Sequence, residues 1–150
     1  MSKEKQKIKK DLARRIKTYY ITAIFSLVFA VMGFSYNLWR MKVNEKNSTI
    51  RTASFEVLRV LGELEQNIYA AHYDQDTIRG NARIGWVKVG LIHDLSVLIS
   101  PAVTEEALEL KRYWGKVWDD LPDDNAVANK LVENIDAIRA EIRLTIEDIK

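Results

Sequence analysis

The sequence predicts an all-α protein: a single N-terminal transmembrane helix followed by an antiparallel, up-down four-helix bundle. Three observations carry this. Residues Ile21 to Leu38 contain no charged side chain. Beyond residue 50, apolar residues recur at intervals of three and four over four separate stretches. The breaks between those stretches are short, as antiparallel neighbouring helices require.

The uncharged stretch sets the organisation of the rest. Eighteen helical residues rise roughly 27 Å, close to the thickness of a bilayer's hydrocarbon core. Tyr19 and Tyr20 at one end, and Tyr36 and Trp39 at the other, stand where interfacial aromatic belts form, with Lys17 and Arg40 just outside them. A buried core helix would not need these collars. A cleaved signal peptide has a shorter apolar region, although Gly33 and Ser35 offer small residues for a cleavage site. The expected organisation is a basic tail over 1–18, a membrane helix over 19–40, a linker over 41–49 and a helical bundle over 50–150.

Charge orients the chain. The first 17 residues hold eight basic and two acidic side chains, while only Arg40, Lys42 and Lys46 are basic between the apolar stretch and Arg51. The positive-inside rule then places the N-terminus in the cytoplasm and the C-terminal domain in a periplasmic or extracellular space, anchored in the plasma (inner) membrane. Residues 1–42 carry ten basic and two acidic groups; the remainder carries thirteen and nineteen, so the overall charge of +2 conceals a domain at −6. A polybasic segment beside a membrane span is explained by topology and anionic headgroups. No nucleic-acid partner is expected, since no recognition fold or interleaved aromatic residue precedes Tyr19. In the tail, Ile8, Leu12 and Ile16 share one helical face, suited to lying on or continuing into the membrane.

The chain has no cysteine, which excludes disulfides, zinc-thiolate sites, c-type haem attachment and cysteine nucleophiles. Roughly a hundred residues outside the membrane suffice for one core.

Asn47-Ser48-Thr49 supplies three N-cap residues for the first bundle helix, and forms a glycosylation sequon of consequence only in a eukaryote. That helix runs from about Ile50 to Tyr73, burying Ile50, Val57, Leu61, Leu64, Ile68 and Ala71. The second spans about Asn81 to Ile99. Its segment Trp86 to Ile92 also suits a strand, but its length and a stripe of Ile84, Val87, Leu91, Leu95 and Leu98 favour a well-buried helix. Ser100-Pro101 is expected to end it. Thr104 is expected to cap the third helix, whose seam is Ala107, Leu110, Trp114, Val117 and Leu121. Pro122 with Asp123 and Asp124 forms the next break and cap. The fourth helix has its seam at Ala128, Leu131, Ile135, Ile138, Ile142, Thr145 and Ile149 and is expected to remain helical to the end.

An up-down path converts these breaks into heights. Residues 74–80 and the Pro122 turn should meet at the tip far from the bilayer, with Pro101 and Lys150 near it. Six aspartates, Asp74, Asp76, Asp119, Asp120, Asp123 and Asp124, then form an acidic tip, a candidate surface for a basic partner. Turn chemistry explains several of them, and their spacing does not fit a calcium loop. Tyr69, Trp86, Trp114 and Trp118 fall at similar heights and form a candidate aromatic pocket, flanked by Lys88, Arg112 and Lys116; ordinary core packing is the simpler account.

His72 and His93 lie roughly 18 Å apart along the bundle, too far for one metal. His93, Asp94 and Ser96 lack a nucleophile elbow. No glycine-rich phosphate loop, metal-ligand cluster or triad spacing occurs, so neither an enzyme nor a bound cofactor is expected. The expectation is a non-catalytic interaction or scaffold module of the cell envelope, whose partners are the lipid bilayer and a membrane or periplasmic protein or a second copy. The alternative is an extracytoplasmic bundle that senses a small molecule or stress and signals through a partner.

Overall fold

A computed structural model describes residues 3–149 of the chain. It is all-helical, with four helices and no strand among the described residues: α1 (Lys3–His72), α2 (Ala82–Ser96), α3 (Pro101–Val117) and α4 (Asn125–Asp148). The chain divides into two compact units, Met1–Glu45 and Lys46–Lys150.

In the first unit, the residues of α1 whose exposure is described have no protein cover. An eighteen-residue window within it is long and apolar enough to cross a membrane, and none of that window is buried. Tyr19, Tyr20, Tyr36 and Trp39 are exposed, as are Lys17 and Arg40. The Tyr36 and Trp39 rings lie 6.1 Å apart, one turn from each other. Thr18 and Thr22 donate their hydroxyls to the carbonyls of Arg14 and Thr18 at 3.0 Å, so both hydroxyls are satisfied within the helix.

The second unit is a helical bundle around one apolar core. The core draws Val57, Leu61, Leu64 and Ile68 from α1, Val89 and Ile92 from α2, Val103, Ala107, Leu110 and Trp114 from α3, and Leu131, Ile135, Ile138 and Ile142 from α4. The predicted stripes of α1, α3 and α4 are the buried ones, with Val117, Thr145 and Ile149 only half-buried. α3 packs on both α2 and α4. Along α1, Arg51 donates to the Ile149 carbonyl at 2.9 Å and Glu65 pairs with Arg139 at 2.6 Å, and just past its end Tyr73 donates to Asn125 at 3.4 Å. Ascending positions on α1 thus meet descending positions on α4.

The structure departs from the sequence expectations at five places. Residues 41–49 are helical, so α1 runs through the expected linker and Asn47-Ser48-Thr49 caps nothing. α2 buries Gly85, Val89, Ile92 and Ser96 instead of the predicted stripe; Ile84, Val87, Leu91 and Leu98 are exposed, and only Leu95 packs against the core. α2 ends at Ser96, before the Ser100-Pro101 pair. Ser100 caps α3, accepting from the Val103 N–H at 3.3 Å, because Pro101 at the first helical position needs no N–H partner and fits the helix's φ. Thr104 is inside α3 and bonds back to the Ser100 carbonyl at 2.9 Å. α4 ends at Asp148, and Lys150 lies outside the described residues.

Candidate functional site

The 73–80 turn and the 118–124 turn come together at one end of the bundle. Gln75, in the left-handed region at φ 52°, donates to the carbonyls of His72 at 2.9 Å and Pro122 at 3.1 Å, latching the turns to each other. His72 Nδ1 lies 3.0 Å from the Leu121 carbonyl oxygen, and its ring meets Tyr73 edge-on at 4.6 Å. Gly80 belongs to this closure. A Cβ there would lie 2.4 Å from Ala71 Cα and 2.7 Å from the Asp76 carbonyl oxygen, so only glycine lets the turn fold back onto α1.

The six predicted aspartates have different roles in this end. Asp76 accepts from the backbone N–H groups of Ile78 and Arg79, each at 2.9 Å, and from Arg79 Nε at 2.7 Å. The Arg79 side chain first, then those two N–H groups, hold its carboxyl at about 2, below its ordinary 3.8. Asp74 is a distant second partner of Arg79, at 3.8 Å. Asp124 is the N-cap of α4, accepting from Ala126 at 2.8 Å and Val127 at 3.4 Å. Asp119, Asp120 and Asp123 are exposed. Asp76 and Asp119 share a recess of about 300 Å³ with Trp118 and Pro122, whereas Asp74 lines a separate groove between α1 and α2. Among the described residues, no group of three or more His, Cys, Asp or Glu is placed to hold a metal ion.

The four aromatic residues are dispersed. Trp114 is fully buried in the core. Its ring lies over Gly85, where a Cβ would sit 2.0 Å from Trp114 Cζ2. Trp86 lies reciprocally over Gly115, with its Cη2 3.3 Å from where a Cβ would be. Trp118 lines the recess between the two turns, and Tyr69 lines the α1/α2 groove while donating to Glu65 at 2.8 Å. Two glycines and two tryptophans thus interlock α2 with α3. Of the flanking cations, Lys88 is held by Glu63 at 2.5 Å.

The histidine constellation has structural uses. Ser96, buried, donates to the His93 carbonyl at 2.6 Å, and His93 Nδ1 is 3.5 Å from Asp94.

On α2, Ile84, Val87 and Leu91 are exposed, and Val97 and Leu98 continue this apolar surface in the turn beyond it. The sequence displayed this stripe but assigned it to the core. Its signature is the pair of small residues Gly85 and Ser96 on the opposite face, which admit the neighbouring helix. No protein family, curated protein or solved structure matches the chain.

Proposed function

We propose that the chain is a single-pass, membrane-anchored scaffold whose up-down helical bundle is a non-catalytic interaction module of the cell envelope. The observation that carries this is the lack of any protein cover over the apolar window of α1, beside a bundle whose own core is closed. Apolar side chains in such number require an apolar solvent, and a bilayer supplies one. The flanking tyrosines and Trp39 suit its interfaces, and the eight basic residues before Thr18 favour a cytoplasmic N-terminus with the bundle periplasmic or extracellular. The opposed order of the α1 and α4 contacts supports an up-down path. The exposed face of α2 supports an interaction role, because contiguous apolar patches on small soluble domains mark contact sites.

Two measurements test the reading. Alkaline carbonate should leave the full chain in the membrane pellet, and protease added outside spheroplasts should digest the bundle. Recovery in the soluble fraction would overturn the anchor. Crosslinking in intact membranes that captures neither a partner nor a second copy would overturn the interaction role.

A further inference from the structure

We propose that the outward face of α2 is a homodimer interface, packing antiparallel against α2 of a second copy about a two-fold axis that passes between positions 88 and 89. The inference rests on the interaction module proposed above and assigns its partner. Arg83, Val87, Gly90 and Asp94 recur at intervals of four and three and so share one helical face, bordered by Leu91 and, in the turn beyond the helix, Leu98. Val87 is 71% exposed, Leu98 50% and Leu91 39%.

The charges on this face select both the partner and its direction. Arg83 is in the first turn of α2 and Asp94 near its last, so each opposes the dipole of its own helix. Among the described residues the Arg83 guanidinium has no ion-pair partner, and Asp94 has only His93, at 3.5 Å. In the proposed pair, Arg83 of each copy faces Asp94 of the other, twice. Each charge is then also beside the favourable end of the opposing dipole. A parallel pair would instead set Asp94 against Asp94 and Arg83 against Arg83. The same axis places Val87 opposite the other copy's Gly90, whose missing side chain leaves space: a Cβ there meets nothing within 4 Å. A surface that is its own complement in charge and shape is what an isologous interface requires. Its half-dozen partly exposed side chains bury roughly 500 Å² per copy, near the lower bound for a specific interface, so the pair is weak and multiplied by membrane display.

A two-fold perpendicular to α2 sets the bundles head to tail, with their residue-46 ends at opposite ends of the pair. The natural absence of cysteine makes the test direct. Full-length Val87→Cys and Gly90→Cys chains, purified in detergent, mixed and oxidised, should form the mixed 87–90 disulfide. Each alone should crosslink poorly, since opposed positions are the ones within disulfide reach. Self-crosslinking of Val87→Cys in preference to the mixed product would establish a parallel pair and overturn the proposal, as would absence of any dimer.

Arg83→Asp should weaken the dimer about tenfold by turning two attractions into two repulsions. Adding Asp94→Arg in the same chain should restore it to within about threefold, a rescue that only the antiparallel register allows. Gly90→Leu should abolish the dimer while leaving the bundle's melting temperature unchanged or raised, which separates loss of the interface from loss of the fold. A chain that dimerises normally with Leu at position 90 refutes the interface. Failure here with the chain still resistant to carbonate would leave the anchored-module reading intact.

Discussion

The reciprocal packing of Gly85 under Trp114 and Gly115 under Trp86 makes a quantitative prediction, because the two glycines have the same neighbours in kind but different gaps. Gly85→Ala places a methyl group 2.0 Å from Trp114 Cζ2 and 2.9 Å from Asn67 Oδ1. Trp114 is fully buried and cannot swing into solvent, so α2 and α3 must separate. Overpacking of this kind costs typically 1–3 kcal/mol, occasionally more, and exceeds the roughly 1 kcal/mol that alanine gains over glycine as a helix former. A net loss of about 1–3 kcal/mol in a bundle of about a hundred residues lowers Tm by roughly 5–15 °C. Gly115→Ala meets only the Trp86 ring, nearest at Cη2 3.3 Å away, and Trp86 is partly exposed and can give way. Helix propensity then dominates, and Tm stays level or rises a few degrees. Thermal unfolding of the full chain in detergent, followed by circular dichroism at 222 nm, compares the two. Adding Trp114→Phe, which removes the ring atoms nearest Gly85, should recover part of the Gly85→Ala loss. Equal melting temperatures for the two alanine variants, or a more stable Gly85→Ala chain, would refute the interlock.

Arginine at both Phe29 and Met32 should release the chain from membranes into the carbonate supernatant, since each charge at a span's centre costs roughly 2.5–3.5 kcal/mol; retention in the pellet would argue against a span there. The 73–80 turn should loosen in acid: Asp76 is held at about 2 against an ordinary 3.8, so its contribution is complete above the ordinary value and is lost as pH falls toward 2. Amide exchange at Ile78 and Arg79 should accelerate over that window in the wild type, beyond its intrinsic rate, and should show no such step in Asp76→Asn. Asp124→Ala should cost about 1 kcal/mol by removing the α4 cap, whereas Asp123→Ala, at an exposed position with no side-chain bond among the described residues, should be close to neutral. Chemical denaturation of the two variants checks this difference.

Three helices were legible because their apolar residues follow a single period and have large side chains on the buried face. The seam of α4 from Ala128 to Ile142 and that of α1 from Val57 to Ile68 need no tertiary information to be recognised. Caps were legible when one candidate stood alone, as with Asp124, and failed where two competed. Thr104 and Ser100 are both good caps, and the proline between them decides for Ser100 because its missing N–H is harmless only at a helix start. The unbroken course of α1 through 41–49 reflects the same limit. Asn47, Ser48 and Thr49 favour a helix start, but that preference is about 1 kcal/mol, and helix on both sides makes propagation less costly than a new nucleus. The tip aspartates were legible as turn residues, while their division between the Arg79 pair, the α4 cap and open solvent depends on how two distant turns latch through Gln75.

The inversion of α2 joins these threads. Its large residues form the more conspicuous stripe, yet a helix can bury its smaller face when a neighbour brings the bulk. Trp114 does so, filling the space that Gly85 leaves, so the volume that hydropathy assigns to α2 is supplied from α3. Once that face is committed, Ile84, Val87, Leu91 and Leu98 are displaced to the surface, and every one of them costs solubility in an isolated chain. The packing choice that makes α2 hard to read thereby creates the surface proposed to bind a second copy. Gly85 admits α3 on one side and Gly90 admits the other α2 on the other. The two substitutions therefore separate fold from association: filling Gly85 should lower the melting temperature, and filling Gly90 should remove only the dimer.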